Sequence, residues 1–232
     1  MEPVMTLDGK LAQPHQDRSG EYMIGWECDV STEIADAERR AATDLILSGV
    51  ARKALRAGDR IPAIVLSDSD GWTVNARDLL TRGPLIVAFH RGLWCPYGNL
   101  ALRTLEGARS EIEARGASIV VISQQTRTNS RRSKRLNGLG FPILVDADGL
   151  VAAQFGVRWN APAHLREVYK RLDVDLARYN NDESWMLPIP ALFVVGSGAV
   201  IVYAEIDPDA TRTSDPANVF PVLDLFKGRW TT

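Results

Sequence analysis

Two uninterrupted apolar runs limit what this chain can fold into: Pro84–Phe89 (PLIVAF) and Ser118–Ile122 (SIVVI). Each is too short for a helix and lacks the polar–apolar alternation of a strand with one wet face. Such runs read as strands buried on both sides, the pattern of a parallel sheet covered by helices. Between them, Leu102, Leu105, Ala108 and Ile112 share one helical face, predicting a helix from Pro96 to Arg115 that stops at Gly116. Strand, helix and strand make a right-handed crossover.

The rest of the chain extends this pattern. Residues 1–30 are polar and mixed and read as an irregular lead-in. Ser31 or Thr32 can cap a helix whose Ile34, Ala37, Ala41, Leu45 and Ile46 recur at helical spacing, with Gly49 or Gly58 as its stop. A short strand, Ala63–Leu66, precedes an Asp70-Gly71 turn. Thr128–Asn137, Leu150–Phe155, Leu165–Leu172 and Asp215–Phe226 read as helices, and Phe141–Val145 as a strand. Ala191–Val195 and Ala199–Tyr203 flank a Gly196–Gly198 turn and predict a hairpin. The expected architecture is a three-layer α/β/α sandwich with a mixed central sheet (residues 56–232), preceded by an N-terminal extension with one helix (residues 1–55).

A net charge of −2 argues against nucleic acid or an anionic membrane as the main partner. No stretch approaches the roughly 18–20 apolar residues of a membrane helix. Residues 1–20 lack the apolar segment of a secretory signal, so a cytoplasmic protein is expected. Two cysteines, Cys28 and Cys95, are too few for a disulfide framework. His15, His90 and His164 are scattered without metal-ligand spacing, so no metal is expected. Arg127, Arg131, Arg132, Lys134 and Arg135 form a basic cluster, read first as a solvated helix face and second as an anion site.

One segment carries chemistry: Phe89-His90-Arg91-Gly92-Leu93-Trp94-Cys95-Pro96-Tyr97-Gly98. Here a buried strand ends and a helix begins. A thiolate at that junction faces unpaired N–H groups and the positive end of the helix dipole, which lower a cysteine's pKa. Pro96 suits the first helical turn. Arg91 adds positive potential, and His90 is a neighbour able to tune the thiol. The plain alternative is that Cys95 is a small buried hydrophobe.

Trp94-Cys95-Pro96-Tyr97-Gly98 resembles the Trp-Cys-x-x-Cys site of thioredoxins. Together with Ile122-Ser123-Gln124-Gln125, and with Ser184-Trp185 leading into Leu187-Pro188-Ile189-Pro190-Ala191, it resembles the AhpC/TSA (redoxin) peroxiredoxin-like family over roughly residues 55–228. The resemblance implies a thioredoxin-like fold and a thiol oxidoreductase acting on a peroxide, disulfide or thiol. Cys95 would be the nucleophile and Arg91 its stabiliser, with no cofactor beyond an external thiol such as glutathione or thioredoxin. Trp94, Pro96, Tyr97, Gly98, Trp185 and Pro190 are the expected substrate-binding residues. Ile189-Pro190 matches the family's cis proline; an ordinary turn proline is the alternative reading. A symmetric dimer is the default assembly.

The chain departs from the family at Gly98, where most relatives place a second cysteine. Aligning the Pro-x-x-x-Thr-x-x-Cys loop of true peroxiredoxins on the same strand sets Arg91 at the proline, Cys95 at the threonine and Gly98 at the peroxidatic cysteine. The remaining site is a monothiol, oxidised to a sulfenic acid and resolved by an external thiol, with Cys28 the sole internal candidate. Two other readings stand beside it: an enzyme repurposed for a specialised small molecule, and a non-enzymatic thiol sensor or binding protein.

Overall fold

The computed structural model describes residues 32–212 and 214–227. Cys28 and the candidate cap Ser31 lie outside them. The elements run α1 (Thr32–Ser48), β1 (Val65–Ser67), β2 (Thr73–Asn75), α2 (Ala76–Leu80), β3 (Leu85–Phe89), α3 (Pro96–Gly107), α4 (Arg109–Ala114), β4 (Ser118–Ser123) and α5 (Arg127–Leu136). They continue with β5 (Ile143–Val145), α6 (Leu150–Gln154), β6 (Arg158–Asn160), α7 (Ala163–Arg171), α8 (Leu176–Asn180), β7 (Met186–Pro188), β8 (Ala191–Val195), β9 (Ile201–Ile206) and α9 (Phe220–Asp224).

The central sheet has the order β5-β4-β3-β8-β9. β3 runs parallel to β4, and β4 to β5, while β8 is antiparallel to β3 and β9 to β8. The two apolar runs thus become adjacent central strands, and the expected hairpin is β8–β9. Successive side chains of β3 face opposite layers. Leu85, Val87 and Phe89 join a core with Ile34, Ala37, Ala41 and Leu45 of α1 and Leu165 and Val168 of α7. Ile86 faces a second core with Leu102 and Leu105 of α3, Ile112 of α4 and Leu223 of α9. This is the mixed-sheet α/β/α sandwich expected from the sequence.

Several boundaries differ from expectation. The Pro96–Arg115 helix breaks at Ala108, whose backbone turns to φ −92, ψ −5 after Gly107, a residue of low helix propensity. The final helix opens with a 3-10 turn, Pro216–Val219, before α9. Pro221 has no N–H to continue an α ladder across that step. The first strand is Val65–Ser67 and pairs with β2, a strand too short to read from its own sequence. The turn joining them is held by Asp68 Oδ1, which accepts from the N–H groups of Asp70 and Trp72.

β6 and β7 pair into a small ribbon that closes an insert holding α7 and α8. The chain then runs extended from β7 into β8. Ile189 N–H donates to the Val157 carbonyl, and Asp207 N–H to the Pro190 carbonyl. The Ile189–Pro190 peptide is trans, and no cis peptide occurs among the described residues, which corrects the expected cis proline.

Candidate functional site around Cys95

Cys95 caps α3. It is extended, at φ −90 and ψ 111, and its Sγ accepts from the Gly98 N–H at 3.4 Å. Pro96 follows as the first helical residue and costs the helix no hydrogen bond. The loop before it is pinned at several points. Leu93 N–H donates to Gln125 Oε1 (2.9 Å), Asn99 Nδ2 to the Leu93 carbonyl (2.7 Å) and Cys95 N–H to the Gly92 carbonyl (3.0 Å). Gly92 sits at φ 136, and a Cβ there would lie 2.7 Å from Trp94 Nε1, so this bend requires glycine.

Cys95 is 1% exposed yet lines a mostly apolar cavity of about 70 Å³. A buried water needs roughly 10–15 Å³ of such space, so the cavity admits a small molecule and excludes a protein surface. Pairing of Phe89 with Ala191 across β3 and β8 brings Pro190 to the same cavity. Arg91, Tyr97 and Gly98 also line it, joined by His90, Leu102 and Arg212.

The other three expected binding residues lie elsewhere. Pro96 is turned into the helix start and is not part of the cavity wall. Trp94 packs with the Arg91 guanidinium 5.0 Å from its ring centroid and meets Tyr169 edge-on at 5.1 Å. Trp185 lines a separate hollow with Lys170 and Glu183, with Lys170 Nζ 5.6 Å from its ring. The insert built on β6 and β7 carries Trp185 away from Cys95, an outcome that the nearness of Trp185 to Pro190 in sequence did not reveal.

Arg91 is 2% exposed and is held from two elements remote in sequence. Its Nη1 donates to Glu38 Oε2 at 3.2 Å and its Nη2 to the Tyr169 hydroxyl at 2.6 Å, while that hydroxyl donates to Glu38 Oε1. Glu38 comes from α1 and Tyr169 from α7. Burial opposes the Arg91 charge, but Glu38 and Tyr169 outweigh it and the guanidinium is held ionised. Neither partner was expected. The signal for Glu38 was present: it lies four residues after Ile34 and three before Ala41, a carboxylate within an apolar helical stripe.

Burial pushes the Cys95 thiol up, against the expected lowering. Arg91 and the Gly98 and Tyr97 N–H groups pull it down, and Glu38 raises it further. The helix terminus does favour the thiolate; the low-dielectric surroundings of a fully buried sulfur outweigh it. His90 is buried alongside, and burial together with Arg91 lowers its pKa to about 3, so its imidazole is neutral.

The AhpC/TSA family matches residues 57–204. The chain belongs to this family. Two relatives named as peroxiredoxins, from two strains of Mycobacterium tuberculosis, are 28% identical over 104 residues, covering 45% of this chain and 68% of theirs. Among solved structures, peroxidoxin BcpB of Mycobacterium tuberculosis has a TM-score of 0.58 at 20% identity, covering 74% of this chain and 97% of its own. A cysteine-to-serine mutant of peroxiredoxin 6 from Arenicola marina has a TM-score of 0.58 at 16% identity, covering 75% of this chain and 74% of its own. At such identities the structures establish a shared thioredoxin-like fold. The family match begins after α1, so the AhpC/TSA segment of this chain has its site arginine gripped by a carboxylate from outside the matched residues.

Proposed function

We propose that this chain is a peroxiredoxin-like thiol oxidoreductase that reduces a peroxide or disulfide through Cys95 alone. The observation that carries the reading is the placement of Cys95 Sγ at the α3 N-terminus, on the wall of a small cavity it shares with a charged, buried Arg91. With a peroxide, the sulfur attacks one oxygen, the O–O bond breaks and an S–O bond forms. Cys95 becomes a sulfenic acid and the peroxide leaves as an alcohol or water. An external thiol such as glutathione or thioredoxin then displaces water to give a mixed disulfide, and a second thiol restores Cys95. Arg91 attracts the developing thiolate; Tyr97, Gly98 and Pro190 shape the space in which the substrate sits.

Residues 56–232 are taken as the redoxin unit, working as a cytoplasmic homodimer, with residues 1–55 as an extension whose helix supplies Glu38. The test is intact-mass spectrometry of wild type and Cys95→Ser after brief exposure to hydrogen peroxide or oxidised glutathione. A sulfenic-acid or glutathione mass that appears on wild type and disappears in Cys95→Ser supports the reading. An unmodified Cys95, or modification at Cys28 alone, sinks it.

A further inference from the structure

Two loops converge on the Cys95 cavity, and the second brings a cation. Phe89 pairs with Ala191 and Ala191 with Ile206, which sets the end of β9 two strands from the end of β3, about 10 Å away. The chain leaves β3 toward Cys95 and leaves β9 toward Arg212, and both residues line the cavity. The loop after β9 is tied down. Asp207 N–H donates to the Pro190 carbonyl, Thr211 N–H to Asp209 Oδ1 (3.0 Å) and Arg212 N–H to the Asp209 carbonyl (3.0 Å). Ala210 is buried in the wall, whereas the Arg212 side chain is 75% exposed and so marks the open side. Arg91 is the other cation on the wall, and both its Nη groups are engaged by Glu38 and Tyr169. The Arg212 guanidinium stands 3.9 Å from Asp209, whose carboxylate already accepts from the Thr211 N–H and hydroxyl. The rest of the wall is mostly apolar, with Ala101, Leu102, Leu105 and Leu192.

We propose that Arg212 selects the reductant of oxidised Cys95, and that this reductant is a small thiol carrying a carboxylate, a selection that rests on the redox reading above. At roughly 10–15 Å³ for each water-sized group, the cavity of about 70 Å³ holds about five to seven of them. That is the size of a short mercaptocarboxylate, or of the thiol-bearing arm of a larger one. The thiol end enters toward Cys95 while the carboxylate meets the guanidinium, whose planar donors suit it. The incoming sulfur attacks the Cys95 sulfenic sulfur. An S–S bond forms, the S–O bond breaks, and the hydroxyl leaves as water with the thiol proton. A second molecule of the thiol attacks the sulfur of the first, which releases Cys95 as a thiol and a symmetric disulfide. Cys95 gains two electrons, and the two thiols give up one each. A protein dithiol has no open approach to a sulfur on a residue 1% exposed.

The experiment oxidises Cys95 of the full chain with limiting hydrogen peroxide and follows loss of the sulfenic acid by quenched intact-mass spectrometry. Mercaptopropionate, mercaptoethanol and cysteamine are compared, thiols of similar size with negative, no and positive charge. Each rate is divided by that of the same thiol with a free disulfide, which removes differences in thiol acidity. Wild type prefers mercaptopropionate over mercaptoethanol by about two- to fivefold, the range of an exposed ion pair, and the preference fades in high salt. Arg212→Gln brings the ratio to about one, and Arg212→Glu turns the preference toward cysteamine. Reduced thioredoxin at equal concentration clears the sulfenic acid far more slowly than mercaptopropionate. If Arg212→Gln keeps the wild-type ratio, or wild type shows no salt-sensitive preference, Arg212 selects nothing although the redox reading stands. If thioredoxin matches mercaptopropionate, the reductant is not confined to small thiols, which also overturns the proposal. The salt series needs only wild type, so a variant that fails to fold does not block the test. If Cys95 forms no sulfenic acid at all, the redox reading itself falls, and the role of Arg212 with it.

Discussion

Arg91 reaches back 53 residues to Glu38, which grips its guanidinium with both carboxylate oxygens, 3.2 Å at each contact. The buried guanidinium beside Cys95 is thus tied to a helix that precedes the family-matching segment. The Tyr169 hydroxyl completes the clamp. The pair sets both the stability of the α1 packing and the field that Cys95 feels.

Glu38→Gln is expected to cost stability and to ease thiolate formation. Removing one partner of a buried ion pair leaves an uncompensated charge, a loss of about 3–5 kcal/mol. Glu38 also raises the Cys95 thiol, so its removal lowers that pKa. Urea unfolding reads the first effect, and thiolate absorbance against pH the second.

Arg91→Met leaves Glu38 buried alone and is expected to cost a similar amount, about 3–5 kcal/mol. The double variant Glu38→Met with Arg91→Met recovers most of the loss, which a double-mutant cycle in urea measures. Peroxide oxidation of Cys95 stays slow in the double variant, because the cation that favours its thiolate is gone. A double variant that loses the sum of the two single costs overturns this view of the pair.

Gly98→Cys alone is expected not to form a disulfide with Cys95, although the 3.6 Å between the two Cβ positions suits one. The new side chain would meet the His90 ring at 2.8 Å, and overpacking of this kind costs about 1–3 kcal/mol. Adding His90→Ala frees the space and lets the bond form. Thiol titration after mild oxidation distinguishes the two proteins.

His90 also predicts an acid-dependent loss of stability. Its folded pKa, about 3, lies below the 6.5 of a free imidazole, so the unfolded chain binds the proton more readily between those values. The stabilisation is complete above pH 6.5 and is lost as pH falls toward 3, at about 1.4 kcal/mol per pH unit for one proton. The difference in unfolding free energy between wild type and His90→Gln, followed from pH 7 to pH 4, should show that slope.

The sequence alone was sufficient for the central sheet and for the placement of Cys95 at a strand–helix junction. Runs such as PLIVAF become strands because nothing in them tolerates water. Cys95 caps a helix because a strand end, a proline and an apolar helical face follow one another locally. β2, β6 and β7 were not legible, since strands of three residues exist by virtue of their partners, and β6 and β7 are joined by a long insert. The separation of Trp185 from the cavity follows from the insert, which holds it in a different hollow.

What the sequence determined was the layered sandwich and the cysteine at its strand–helix junction, because both rest on local periodicity and capping. What only the tertiary structure decided was the state of that cysteine. Its burial, the neutral His90 packed against Gly98 and the clamp of Glu38 and Tyr169 on Arg91 arise from residues far apart in sequence. A pKa depends on desolvation and on charges a few ångströms away, and neither exists until the layers have closed around the site.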